Sequence, residues 1–223
     1  MITILKRDAV AAVRKNLDEE GLNESLMYND ENADNDSVDS IIEATLPEAI
    51  NEIHRTAPVT MLEGDTATSY GECSVDGEGV LSFVVNAPRF LRLVAFQAVD
   101  SDIVITEVVP EATAEGRKQL NRYVRGTYDN PRLVQLQGKS YPAAFRYYTM
   151  KKVGHYPNKP RAAIRQLRFV EELTRDNMVA GYKASPELVG SIIDKLTAMV
   201  LSIYGQGEAA NYFNAKAMIW KTS

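Results

Sequence analysis

The chain has 223 residues, with 25 Lys+Arg against 30 Asp+Glu and a formal net charge of −5. Its hydrophobic share of 45% excludes wholesale disorder, and the length suffices to bury a core. No apolar run approaches the roughly 20 residues needed to span a bilayer, and the lone Cys73 excludes an intrachain disulfide.

The net figure hides a split. Met1 to Glu115 holds 23 acidic and 7 basic residues, a balance of −16; Gly116 to Ser223 holds 7 acidic and 18 basic, a balance of +11. A charge division of this kind points to a partner or an assembly. Residues 1–17 lack the basic-then-apolar order of a signal peptide and read as part of the mature chain. One cysteine fits a reducing compartment. Cys73, His54 and His155 together supply too few ligands for a four-ligand structural zinc site.

Along the chain, Ile2, Leu5, Ala9, Val13 and Leu17 recur at near-helical spacing, which predicts a helix over 2–20 stopped by Gly21. Residues 28–36, rich in Asn and Asp, read as an acidic loop. A helix is predicted from Ser37 or Asp39 towards Pro58, with Ile41, Ile42, Thr45, Leu46, Ala49, Ile50 and Ile53 on one face. Pro47 should kink it or begin a second helix, because proline withholds a backbone donor. Residues 79–85, 90–99 and 103–109 are β-branched and aromatic, as are 132–138 and 143–150, which predicts antiparallel strands. A short helix fits within 112–124. The basic stretch 151–176 has no clear periodicity. Ser185 and Pro186 open a helix over 186–204, and after Gly205-Gln206-Gly207 a second runs over 208–220.

Few motifs carry chemistry. Gly205 to Ala210 matches G-x-G-x-x-A, but a helix precedes it where a dinucleotide site needs a strand, so it reads as a turn. Asp30, Asn32, Asp34 and Asp36 alternate like calcium ligands, yet Asn35 and Ile41 occupy the positions that need Gly and Glu. Cys73 lies among acids that do not activate a thiol. No G-x-S-x-G or H-E-x-x-H occurs. The segment 117–175 is different: it carries 14 Lys+Arg against 3 acids, interleaved with tyrosines. It suits either phosphate contact with stacking on nucleic acid, or an acid–base interface with a neighbouring copy. The acidic overall balance favours the interface.

The segment order carries a resemblance. It runs from DSIIEATLPEAINEIHRTAPVTML (39–62) through NAPRFLRLVAFQAVDSDIVITEVV (86–109), RKQLNRYVRGTYDNPRLVQLQG (117–138) and YPAAFRYYTM (141–150). It closes on ELVGSIIDKLTAMVLSIYGQGEAANYF (187–213). This resembles the portal-adjacent ring, or head-to-tail adaptor, proteins of tailed phages, particularly the short-tailed crAss-like phages. The resemblance implies a structural virion protein, assembled in the host bacterial cytoplasm. About a dozen copies would form a ring joining portal to tail and enclosing the channel through which double-stranded DNA passes without sequence-specific contact. It implies no catalysis, no cofactor, no metal and no membrane.

The expected fold is α+β, a helical bundle from both termini with an inserted antiparallel β domain. The expected organisation is N-terminal helices over 1–62, a β domain over 63–150, a basic connecting segment over 151–185 and a helical hairpin over 186–223. Candidate interface residues are basic Arg117, Lys118, Arg122, Arg125, Arg132, Lys151, Lys152, Arg161 and Arg165, facing acidic Asp18, Glu19, Glu20, Asp34 and Asp36. The alternative is a nucleic-acid-binding protein using 117–175.

Overall fold

The computed structural model describes residues 2–19, 35–62, 64–66, 70–76, 78–99, 101–127, 129–136, 143–148, 164–176, 178, 181–218 and 220. In chain order its elements begin with β1 (Ile2–Leu5), α1 (Lys6–Glu19), α2 (Asn35–Thr56), β2 (Asp65–Thr66), β3 (Tyr70–Val75), β4 (Leu81–Val85) and β5 (Phe90–Ala98). There follow β6 (Val109–Pro110), α3 (Ala114–Lys118), β7 (Arg132–Gln135), β8 (Ala143–Tyr148), β9 (Ile164–Glu171), β10 (Gly181–Ala184), α4 (Pro186–Ile203) and α5 (Gly207–Ala217). The fold is α+β. The chain forms two compact units: Met1–Glu63 with Leu173–Ser223, and Gly64–Glu172. The stretch 151–185 contains β9, in the second unit, and β10, in the first. Among the described residues, no helix is long and apolar enough to cross a membrane.

The first unit is built on helical periodicity. Ala9, Val13 and Leu17 of α1, Ile42, Leu46, Ala49, Ile50 and Ile53 of α2, and Leu188, Ile192, Leu196 and Val200 of α4 are all buried. Steps of three and four residues put each set on one helix face. The helices α1, α2 and α4 pack against one another, and α4 packs against α5. Gly205, with φ of 75°, makes the turn between α4 and α5, a conformation open to glycine at little cost. Ser185 precedes α4 with extended backbone but gives no side-chain cap; Pro186 supplies the start.

Polar ties cross this core. Asn51, 4% exposed, donates to the Leu173 carbonyl at 2.9 Å and accepts from the Leu173 N–H at 2.8 Å. Lys195 pairs with Glu52 at 2.5 Å and donates to Asn214 at 2.9 Å, which keeps a nearly buried cation compensated. Asn16 donates to Thr197 at 3.0 Å, and Arg14 pairs with Asp39 at 2.7 Å.

Two local expectations give way here. Ile2–Leu5 is a strand, not the first turn of α1, and it pairs antiparallel with β10 from Ile2↔Ala184 to Leu5↔Gly181. Ile-Thr-Ile favours strand, and a partner nearly 180 residues away decides the matter. The approach is close: a Cβ on Gly181 would lie 2.5 Å from the Ile4 carbonyl oxygen. α2 runs through Pro47 as one helix. Proline withholds the N–H that would bond the Glu43 carbonyl. Burial of Leu46, Ala49 and Ile50 beside it offsets that loss.

The second unit holds two sheets, ordered β2-β9-β5 and β3-β4-β8-β7-β6. Alternation governs β4, where Leu81, Phe83 and Val85 are buried, and β8, where Ala143, Phe145 and Tyr147 are. The antiparallel register sets Leu81 opposite Tyr147 and Phe83 opposite Phe145. Phe83 stacks on Phe145 at 5.3 Å and on Phe96 of β5 at 5.1 Å, so aromatic rings join the two sheets. Each such pair contributes about 1 kcal/mol beyond the area it buries.

The second sheet is not wholly antiparallel, because β6 pairs parallel to β7. Residues 103–109, expected as a strand, make one isolated bridge, Phe96 to Ile105, before β6. Ile105 is buried in the core while Ile103 and Val104 are exposed, so the segment touches the sheet at one point rather than along its length.

Candidate functional site

The basic segment provides the site. Thr113 caps α3: its hydroxyl accepts from the Gly116 N–H at 3.1 Å and donates to the Pro110 carbonyl at 2.7 Å. This is the N-cap role of threonine, a side chain answering an orphaned backbone donor. Gly116 packs hard against the preceding chain, where a Cβ would sit 2.3 Å from the Pro110 oxygen. The helix then ends at Lys118, and turns follow: the Leu120 N–H donates to Arg117, and those of Val124 and Arg125 donate to Asn121. The Asn121 side chain also accepts from the Tyr123 N–H at 3.0 Å, a local turn that suits asparagine.

Both ends of this turn are anchored. Gln119 is 2% exposed; its amide donates to Glu115, and its oxygen accepts from the Gly126 N–H at 2.7 Å. Arg125 reaches Glu78 twice, carboxylate at 2.9 Å and carbonyl at 3.2 Å. Between the anchors, Leu120, Tyr123 and Val124 are 60%, 79% and 58% exposed. The Arg122 guanidinium lies over the Tyr123 ring at 5.1 Å. Cation–π contact at such an exposed position contributes about 0.5–1 kcal/mol and holds the two side chains together.

The candidate interface residues separate into groups. Arg117, Lys118 and Arg122 are exposed and share this turn. Arg125 is half-buried and committed to Glu78, so it positions the turn rather than meeting a partner. Arg132 is half-buried on β7, and Arg165 is exposed on β9. Lys151, Lys152 and Arg161 lie outside the described residues, as do Glu20 and Asp34. Asp18 and Glu19 stand in the last turn of α1 and Asp36 in the first turn of α2. The calcium-like pattern falls partly outside the description; from Asn35 onward its backbone is helical.

Leu120 and Val124 went unnoticed in the sequence. Their spacing of four suits a helix face, and the sequence places a short helix only somewhere within 112–124. The helix stops at Lys118, and both end up on the surface.

Charge takes a new division once the units are known. The first unit holds 18 acidic and 10 basic residues, a balance of −8; the second holds 12 acidic and 15 basic, a balance of +3. The sequence midpoint falls inside the second unit, so the −16 to +11 split shrinks. The opposite signs survive.

His54, in the last turn of α2, is 3% exposed and tilts against the Tyr182 ring at 5.4 Å. Burial pushes its pKa from 6.5 down to about 4. A helix C-terminus favours a cationic imidazole by up to about 2 kcal/mol, so desolvation outweighs the helix dipole here. Among the described residues, no group of three His, Cys, Asp or Glu side chains is placed to hold a metal ion.

No family model, curated protein or solved structure matches this chain.

Proposed function

We propose that the chain is a structural subunit of a phage head-to-tail connector. Copies associate into a ring beside the portal, and the ring passes DNA from head to tail. The observation that carries this reading is the pairing of a −8 unit with a +3 unit that displays an exposed apolar and basic turn. A ring uses heterologous contacts, in which one patch meets a different patch on the next copy. Opposite charges on two patches steer such contacts and reject wrong ones. The resemblance in segment order supports the same reading.

The test is mass photometry of the purified chain with the portal protein of the same phage. The expected result is a discrete species carrying several copies of the chain per portal ring. A chain that stays monomeric and never joins the portal sinks the proposal.

A second reading has one observation in its favour, the Arg122–Tyr123 pair flanked by Arg117 and Lys118. Nucleic-acid binding through this turn should weaken steeply with salt. Arg117→Ala with Arg122→Ala should then lower the slope of log K against log salt by about 2. Arg125 is a poor choice for that test, because Glu78 already holds it. Undetectable DNA binding at low salt removes this reading.

A further inference from the structure

We infer that the turn 117–125 is a plug that seats on the acidic helical unit of a second copy of this chain. The inference rests on the reading of a self-associating subunit and names its contact surface. Three of five consecutive residues, Leu120, Tyr123 and Val124, expose most of their apolar area. Loose loops do this without consequence, but this turn is built: Asn121 accepts from the Tyr123 N–H inside it, Thr113 and Gln119 hold the Gly116 and Gly126 N–H groups on either side, and the Arg125 side chain ties it to Glu78. A rigid turn loses little entropy when it binds, so apolar area held out to water in this way is preorganised for a partner. Interfaces concentrate binding in such anchors, and Tyr and Arg are the residue types most enriched there.

Charge selects the occupant. Arg117, Lys118 and Arg122 are exposed within the same stretch, Lys118 also facing Glu115 at 3.7 Å, and the helical unit carries the balance of −8. On α2, Glu43 and Glu48 are exposed, whereas Asp39 and Glu52 are already paired. That unit also exposes Ile203 and Tyr212, at 58% and 56%, as apolar counterparts. A polynucleotide would use the arginines and the tyrosine ring but would leave the two aliphatic side chains, Leu120 and Val124, without an apolar partner. A protein surface uses all of them.

The experiment places a photo-crosslinker at the tip of the full chain, Tyr123→p-benzoylphenylalanine, and maps the products by mass spectrometry. The expected product is a covalent dimer joined to a peptide from 1–63 or 173–223 of the other copy. Products within 64–172, products with nucleic acid, or no product at any soluble concentration overturn the inference. A second variant, Leu120→Ser with Val124→Ser, should weaken self-association by about tenfold or more with an unchanged thermal midpoint, since both side chains are exposed. Unweakened association also overturns it. The two proposals fail separately. A chain that joins the portal but cross-links elsewhere loses only the plug. A chain that cross-links to the helical unit but ignores the portal loses only the connector role.

Discussion

His54 should make the helical unit acid-sensitive in a narrow window. Its folded pKa is depressed to about 4 by burial, against 6.5 in an unfolded chain. The unfolded state therefore binds the proton first, and stability is lost as pH falls from about 6.5 towards about 4. Linkage gives a loss of about 2 kcal/mol between about pH 7 and pH 5, and of about 3 kcal/mol in full below about pH 4. With a urea slope of about 1–3 kcal/mol/M, the first step moves the unfolding midpoint by about 1 M. Trp220, the chain's single tryptophan, lies in the same unit and reports its unfolding by fluorescence. Carboxylates also titrate near this range, so the quantity to measure is the difference between the native chain and His54→Leu at each pH. The native chain is expected to lose about 2 kcal/mol relative to His54→Leu as pH drops from 7 to 5. A constant difference, or an imidazole NMR titration of His54 centred near 6.5, refutes the reasoning.

Two further outcomes follow from packing. Asn51→Ala strips both partners from Leu173 where the chain re-enters the helical unit, and should destabilise that unit by about 2–4 kcal/mol in urea titration, with Asn51→Asp intermediate. Gly116→Ala drives a Cβ against the Pro110 carbonyl at 2.3 Å, which should cost about 1–3 kcal/mol. It should also speed amide exchange at Gly126, whose N–H is held by Gln119.

Local pattern was enough where a segment's neighbours in sequence are also its partners in packing. The 3.6-residue spacing of Leu188, Ile192, Leu196 and Val200 and the two-residue alternation of Leu81, Phe83 and Val85 are visible without coordinates. Pairing across long separations was not. Ile2 and Leu5 sit as well on a helix as on a strand until β10 is known. β9 hid in the basic stretch because adjacent Arg165-Gln166 and Phe169-Val170 break its alternation, and its partner β5 lies about 70 residues earlier. The basic character of the site was legible, but its geometry was not. Nothing in the string distinguishes Arg122, free on the surface with Tyr123, from Arg125, spent on Glu78. The charge split was legible only in outline, because the chain enters the helical unit twice and the midpoint of the sequence is not a boundary in space.

The proposed association between copies of this chain joins oppositely charged surfaces. Sedimentation velocity of the full chain across a salt series tests it most directly, because charge-steered contacts weaken as the screening length shrinks from about 30 Å at 0.01 M to about 8 Å at 0.15 M. Oligomers are expected at low salt and should dissociate as salt rises. Association should also weaken when Arg117, Lys118 and Arg122 are replaced together by Glu. A chain that sediments as a monomer at every salt concentration, or as an oligomer indifferent to both salt and those replacements, contradicts it.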